Sequence, residues 1–391
     1  MQNLPKEIAN LHLIIPFTNI ISTPMFESNE VKSVPQVAGP LEQMAAMDHE
    51  QVLFCNDPDT GLKAIIAVHN TVLGPSLGGT RMWPYKNEAE ALKDVLRLSR
   101  GMTFKSAISG LNLGGGKAVI IADPHKDKSE AMMRRFGQFV ESLNGKYITA
   151  EDVGIGTRDI EYVAEETEYV AGLPESRGGG GDPSPVTAYG VYMGMKAAAK
   201  FAYGSDSLTG KRIMVQGVGN VGYNLIKLLS EEGAKIAVSD IFEARLKSVA
   251  EEYNVEVVNP DMVYDHNMDI YAPCALGATL NDDSLSRLKC GVIAGAANNQ
   301  LEDENRHAAM IMDKGIVHAP DFLINAGGII NCYSEVLGYN REDAYRKTQL
   351  IYEVTRAVLE ESRNNNQSTN AVAVKMAQDR INAMQIVKAK R

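Results

Sequence analysis

Residues 212–240 constrain this chain more than any other stretch, because few folds accommodate what they spell. Arg212-Ile213-Met214-Val215-Gln216 reads as a buried strand. Gly217-Val218-Gly219-Asn220-Val221-Gly222 follows at once, and a helix continues through Leu225, Ile226, Leu228 and Leu229. In this setting Gly217 permits a tight turn, Gly219 lets backbone approach a pyrophosphate at the helix N-terminus, and Gly222 lets helix and strand pack closely. A second strand, Lys235 to Ser239, ends in Asp240, 18 residues after Gly222. An acid there accepts hydrogen bonds from a ribose 2′-hydroxyl and repels a 2′-phosphate, so the expected cofactor is NAD, not NADP. The competing reading is a glycine turn followed by a surface aspartate.

The rest of the chain is arranged around that unit. At 391 residues it is too long for one ordinary core, which points to two domains. Residues 183–328 alternate strand and helix, with strands starting near Arg212, Lys235, Met268 and Gly291. This rhythm predicts a parallel sheet with helices on both faces. Residues 45–182 form a second α/β block. Its short β runs Val52 to Cys55 and Ala64 to His69 are joined by the turn Asp57-Pro58-Asp59-Thr60-Gly61. Glu88 to Met102 has helical periodicity: Leu92, Val95, Leu96 and Ser99 share one face, with Lys93, Asp94, Arg97 and Arg100 off it. Ala118 to Ala122 and Tyr147 to Ala150 read as buried strands. From Ile329 onward the chain is mostly helical, and residues 329–391 are expected to complete the catalytic domain. Residues 1–44 read as an N-terminal extension. Leu11 to Phe17 is too short, and lacks the preceding basic region, for a signal peptide. Ser28 to Pro40 reads as a linker.

Charge and cysteine usage exclude several classes. A net charge of −10 argues against nucleic acid, whose phosphates demand a basic surface. No apolar run approaches the roughly 18 residues of a membrane span. Cys55, Cys274, Cys290 and Cys332 lie far apart with no C-x-x-C pair. They predict neither a metal site nor a disulfide framework, but reduced thiols in a cytoplasmic protein.

The first block carries the candidate chemistry. Gly114-Gly115-Gly116-Lys117 is not a phosphate loop, because Leu111 stands where the first glycine would be and Ala118 replaces the hydroxyl residue that holds magnesium. What remains is a lysine entering a buried strand, where burial disfavours the ammonium as a general base needs. Lys105, 12 residues earlier, could hold a carboxylate as a point charge. Asp152 follows the strand Tyr147-Ile148-Thr149-Ala150. Each charge taken singly is more often a solvated side chain; the apolar, glycine-rich settings favour function.

Leu77-Gly78-Gly79-Thr80-Arg81-Met82, Gly101 to Lys105, Gly110 to Lys117, Tyr147 to Gly154, Pro183 to Thr187, Ala294 to Leu301 and Asn325-Ala326-Gly327-Gly328 together resemble the Glu/Leu/Phe/Val dehydrogenase family, its leucine-acting branch most of all. The resemblance runs in order from about Met47 to the C-terminal helices. It implies a catalytic α/β domain and an inserted Rossmann domain with a cleft between them. It implies an enzyme that oxidises an L-amino acid reversibly to a 2-oxo acid and ammonia with NAD, without metal, as a homo-oligomer of two copies up to an octamer. Lys117 would be the catalytic lysine and Asp152 the proton shuttle. Lys105 would bind the α-carboxylate, beside Gly78, Gly79 and Met102. Leu77, Ala150, Asn299, Ile329 and Cys332 would complete the substrate site. Besides the glycine turn with Asn220 and Val221, the cofactor would meet Asp240, Ser184, Thr187, Cys274, Ala275, Ala296, Asn298 and Asn325.

Two other classes compete. A Rossmann domain can serve a sensor without turnover, which loss of Lys117 or Asp152 would have favoured. A 2-hydroxy-acid dehydrogenase would want a His–carboxylate pair after the nucleotide fold, and no such setting is evident in the second block. Within the family the substrate side chain is the open point. Ala150 crowds an aromatic ring and favours leucine, valine or isoleucine. Cys332-Tyr333-Ser334-Glu335 departs from the leucine-type pattern after Asn331 and pulls toward phenylalanine or tryptophan. Gly178-Gly179-Gly180-Gly181, before the crossing between domains, reads equally as a hinge or a slack loop.

Overall fold

The structure, a computed structural model, describes residues 39–389. The N-terminal extension and the linker reading therefore lie outside the described residues except at their C-terminal ends, where α1 (Pro40–Ala46) already begins.

The first domain comprises β1 (Gln51–Asp57), β2 (Leu62–Asn70), β3 (Ser76–Trp83), α2 (Glu88–Ile108), β4 (Gly114–Ile121), α3 (Glu130–Glu141), β5 (Tyr147–Ala150) and α4 (Thr157–Val163). Its strands form one sheet in the order β1-β2-β4-β3-β5. β2 runs antiparallel to its neighbours β1 and β4, while β3 runs parallel to both β4 and β5. The glycines of β4 explain why α2 can lie directly on this sheet. A methyl on Gly115 would stand 2.1 Å from the backbone nitrogen of Thr103 in α2, so only a bare backbone fits there. The sequence predicts that α2 ends at Met102, after Gly101; the helix instead runs on to Ile108. A glycine inside a helix costs about 1 kcal/mol, and burial of Phe104, Ala107 and Ile108 outweighs it. Lys105 is thereby a helical residue. β3 is absent from the sequence reading, because Gly78 and Gly79 interrupt its β pattern; pairing on both edges makes it a strand nonetheless.

The second domain contains α5 (Ser184–Tyr203), β6 (Arg212–Gln216), α6 (Asn220–Glu231), β7 (Lys235–Ser239), α7 (Glu243–Glu252), β8 (Val255–Val257), β9 (Ile270–Pro273), α8 (Asp282–Arg287), β10 (Val292–Ile293), α9 (Glu304–Asp313), β11 (Val317–His318) and α10 (Asp321–Ile324). Its six strands are ordered β11-β10-β9-β6-β7-β8, and every pair is parallel. The order reverses between β6 and β9, the place where open α/β sheets bind ligands.

Four helices close the chain: α11 (Gly327–Val336), α12 (Arg341–Gln349), α13 (Ile351–Asn365) and α14 (Thr369–Ala389). They divide their packing. α14 lies on α2 of the first domain, whereas α11, α12 and α13 lie on α5. Leu77 and Ala150 of the first domain, Val215 of the second and Ile329 and Cys332 of α11 share one apolar cluster, which welds the two domains along the cleft. The Gly178–Gly181 segment is not slack. A methyl on Gly179 would meet the Leu173 carbonyl oxygen at 1.9 Å, and one on Gly180 would meet Asn331 and Glu335 of α11.

Candidate functional site

Three parallel strands bring the polar groups together. β4 carries Lys117 and β3 carries Arg81, while Asp152 lies just beyond the end of β5. Lys117 Nζ lies 2.7 Å from Asp152 Oδ2, and the Lys117 side chain is only 8% exposed. The same carboxylate oxygen accepts from Arg81 Nε at 3.2 Å. Burial opposes ionisation of Asp152, but Lys117 and Arg81 outweigh it and hold its pKa down at about 2. The group is therefore a fixed carboxylate between two cations. The sequence reading looked to burial alone to govern Lys117; the structure supplies a partner charge as well. Gly79 is needed beside it, since a methyl there would stand 3.0 Å from the Asp152 Cβ and 2.2 Å from the Glu151 carbonyl oxygen.

Lys105 projects from the last turns of α2 toward the second domain, where its Nζ donates to Asn298 Oδ1 at 3.3 Å. Burial pushes its pKa down to about 8, with Lys117 adding to the shift and Asp321 and Asp152 opposing it. Asn298 Oδ1 also accepts from Asn325 Nδ2 at 2.7 Å, and Asn325 Nδ2 reaches the Ala296 carbonyl oxygen at 3.0 Å. Asn325 Oδ1 is buried without a partner. Asn298, not Asn299, thus reaches Lys105. Both asparagines are exposed, but the Asn299 backbone is left-handed at φ 52°, and its carbonyl oxygen accepts from the Ala278 N–H. Two adjacent asparagines look alike in a sequence, and only the turn decides which one points inward. Leu77, Ala150, Ile329 and Cys332 are all buried in the shared apolar cluster, and Met102 lies over Gly78, whose methyl would be 3.3 Å from the Met102 Cγ.

On the nucleotide side, Gly217 has φ 106° and sits against Ala275, the residue after Cys274, whose N–H donates to the Gln216 carbonyl oxygen at 2.7 Å. Gly219 is the N-cap of α6 and offers no side-chain cap, so the helix N-terminus remains open. A methyl on Gly219 would meet nothing within 4 Å. A cleft of about 490 Å³ opens at this point, lined by Gly219 and Asn220 with Asp182, Tyr223, Arg245 and Ser248. Asp240 Oδ2 accepts from the Val218 N–H at 2.7 Å and Oδ1 from the Phe242 N–H at 2.9 Å, so each oxygen keeps a lone pair. Thr187 donates to the Pro183 carbonyl oxygen at 2.9 Å and faces Gly328, while Ser184 is buried one turn before it. An open helix N-terminus, an orphaned buried acceptor at Asn325 and an acid at the end of β7 fit a dinucleotide.

The sequence reading finds no His–carboxylate pair in the second domain, yet besides a surface contact of His266 with Glu256 at 3.9 Å the described residues hold two. His318 lies by Asp321 and 3.3 Å from Gln300, and His307 lies 3.4 Å from Asp282. All three of His318, Gln300 and His307 are buried beneath the surface, and burial holds His318 near pKa 4. These pairs brace the 294–301 loop and α9. Arg81 is the charged partner of Asp152 that sequence reasoning passed over. It stands inside a quoted motif, but nothing local marks a half-buried arginine as a partner for Asp152.

A sequence profile described as the Glu/Leu/Phe/Val dehydrogenase dimerisation domain matches residues 49–169. One described as Glutamate/Leucine/Phenylalanine/Valine dehydrogenase matches residues 178–244 and 241–389. Leucine dehydrogenase of Bacillus subtilis (strain 168) is 55% identical over 341 residues, covering 87% of this chain and 93% of that one. L-tryptophan dehydrogenase of Nostoc punctiforme is 46% identical over 349 residues, covering 89% and 98% respectively. The crystal structure of L-tryptophan dehydrogenase from Nostoc punctiforme superposes with a TM-score of 0.78 at 44% identity, over 88% of this chain and 99% of that one. The chain therefore belongs to the Glu/Leu/Phe/Val dehydrogenase family.

Proposed function

We propose that this chain oxidises a branched aliphatic L-amino acid (leucine, valine or isoleucine) to its 2-oxo acid and ammonia, reversibly and with NAD. The carrying observation is the Lys117–Asp152 ion pair at 2.7 Å, set beside Lys105 at the cleft into which the nucleotide domain presents Asn298. The higher identity to a leucine dehydrogenase than to an L-tryptophan dehydrogenase supports the aliphatic side chain. The description of the first matching profile as a dimerisation domain supports a homo-oligomer.

The substrate α-carboxylate takes the Lys105 ammonium, with Asn298 alongside. Its side chain enters the apolar surface of Leu77, Ala150, Ile329 and Cys332. The glycine turn, Asp240, Thr187, Asn325 and their neighbours hold NAD, which when bound accepts the hydride from Cα. The resulting imine carbon is attacked by water. Lys117 removes a proton from the water as the C–O bond forms, Asp152 relays that proton from Lys117 to the departing nitrogen, and the new hydroxyl then gives its proton to Lys117 as the C=O forms. The C–N bond then breaks, releasing ammonia and the 2-oxo acid. Walls of buried apolar side chains keep other water from the reacting carbon.

The test is NADH oxidation with the 2-oxo acid of leucine, with and without ammonium, followed by a panel of L-amino acids ranked by kcat/KM. Ammonium-dependent turnover and leucine or valine at the head of the ranking are expected. Turnover indifferent to ammonium would refute the reaction, and phenylalanine or tryptophan ranked first would refute the aliphatic assignment alone.

A further inference from the structure

Asp152 is the end of a chain of alternating charges that the reaction as described does not use. Arg81 donates through Nε to Asp152 Oδ2 at 3.2 Å and through Nη1 to Asp94 Oδ2 at 3.0 Å. Asp94 in turn accepts from the Tyr85 hydroxyl at 2.7 Å and from Arg97 Nη2 at 3.1 Å. The series Lys117, Asp152, Arg81, Asp94 therefore runs cation, anion, cation, anion. It starts at a nearly buried lysine, with side-chain exposures of 8, 23, 24 and 18% in that order. Arg81 is fixed at both ends. Its planar fork cannot turn away from Asp152 without leaving Asp94, and Asp94 is anchored on α2 by three donors. The ion pair with Lys117 and the Val153 N–H alone would hold the carboxylate less firmly. The second donor on the same oxygen fixes its plane, with the other oxygen left out of the bridge.

We propose that Arg81 is a positioning residue of the proposed deamination, holding Asp152 as an oriented carboxylate for proton transfer while Asp94 holds Arg81. The proposal rests on the reaction assigned above. Arg81 touches neither substrate nor cofactor in this scheme; it acts through Asp152. Asp94 sits one side chain further out and acts through Arg81.

The charges make the consequence directional. Asp152 is held as a carboxylate partly by Arg81, and activity is limited from the acid side by protonation of the groups that face this arginine, Asp152 first among them. Removing the Arg81 cation favours protonation. Arg81→Gln should move the acid limb of the kcat/KM profile up by about one pH unit or more, the usual effect of a close arginine on a carboxylate. Arg81→Lys keeps the charge and should return most of the shift. Asp94→Asn removes an anion and leaves the guanidinium, so it should move the limb the opposite way, to lower pH. A disturbance of packing alone would not produce opposite shifts from neighbouring substitutions.

The experiment measures the full pH profile of amino-acid oxidation for the wild type and the three variants, with NADH binding by fluorescence as the control for folding. Opposite shifts, lysine rescue and unchanged NADH affinity are the expected result. If Arg81→Gln does not fold, the sign of the Asp94→Asn shift still decides. Wild-type limbs in Arg81→Gln, or an upward shift in Asp94→Asn, would overturn the positioning role while leaving the reaction standing. A wild type without ammonium-dependent turnover would overturn both.

Discussion

At the scale of single residues, the proposed selectivity rests on two side chains. Ala150 is buried at the end of β5, in register with Gly79, and turns its methyl into the apolar cluster with Leu77, Ile329 and Cys332. Forcing an aromatic ring against that methyl would cost roughly 1 to 3 kcal/mol of overpacking. Ala150→Gly should therefore raise kcat/KM for phenylalanine relative to leucine by about tenfold or more; an unchanged ratio would mean that Cys332 and Tyr333 set the pocket instead. Asp240 governs the cofactor. Its carboxylate is already tied by two backbone amides, and a phosphate dianion placed against it would cost several kcal/mol. NAD should be preferred to NADP by at least about 100-fold. Because Arg245 stands 3.8 Å from Asp240, Asp240→Ser should narrow that gap sharply by leaving the arginine unopposed. Equal kcat/KM for the two cofactors in the wild type would refute the assignment.

At the scale of elements, α2 is the part whose exact placement the site depends on, because Lys105 lies in its last turns. Its last carbonyl groups are taken by amides of the loop that follows, Lys105 by the Ser109 N–H, Ser106 by Leu111 and Ala107 by Gly110. Arg380 of α14 adds to this and to the loop itself: Nη1 donates to the Ala107 and Leu111 carbonyl oxygens at 3.1 and 2.7 Å, and Nη2 to the Gly110 carbonyl oxygen and Asn112 Oδ1 at 3.1 and 3.0 Å. One half-buried guanidinium thus ties the C-terminal helix to the loop between the two lysines. Arg380→Met should cost about 3 kcal/mol of stability, in the range for losing hydrogen bonds to a charged group. It should also raise KM for the amino acid more than it lowers kcat, since in the proposed reaction Lys105 binds and does not react. Urea unfolding and steady-state kinetics read the two effects. A loss of stability with unaltered KM would show that the clamp serves the fold alone.

For the whole molecule, the buried histidines predict how it fails in acid. Burial lowers His49 to about 4, against a hydrogen bond from its ring to the Leu96 carbonyl oxygen that raises it. Burial, His49 and Arg100 lower His69 to about 3, and burial lowers His318 to about 4. His49 and His69 also meet edge to face at 4.7 Å between ring centroids, which makes charging both costlier still. Each folded-state pKa lies below the unfolded value of about 6.5, so the unfolded chain binds more protons between those limits. The stability involved is fully present above pH 6.5 and is lost as pH falls toward 4. The slope approaches, at most, on the order of 4 kcal/mol per pH unit for three histidines at about 1.4 kcal/mol each. Denaturant midpoints should drop steeply between pH 6.5 and 5, and equal midpoints at pH 7 and pH 5 would contradict this reading.

The nucleotide half was legible because its signal is local. The turn at Gly217, the helix start at Gly219 and the strand edge at Asp240 lie within 24 residues, and their backbone needs are written in residue types that few other structures require. The boundaries of β5, β6 and β7 follow from the same kind of local pattern. Lys105, Lys117 and Asp152 could be named as candidates, but their relation could not. Lys117 and Asp152 stand 35 residues apart, and Arg81 belongs to a strand that glycines hide. They meet only because β3 pairs with β4 on one edge and β5 on the other, and nothing in a single strand encodes its neighbours' register. The same holds for Asn298 over Asn299, for α2 continuing through Gly101, and for Arg380 crossing from the last helix to the end of α2. Sequence by itself determined the composition of the cleft and the backbone that receives a dinucleotide, since those depend on short-range sterics. Tertiary structure alone decided which charges became partners, since that depends on hydrogen bonds between segments distant along the chain.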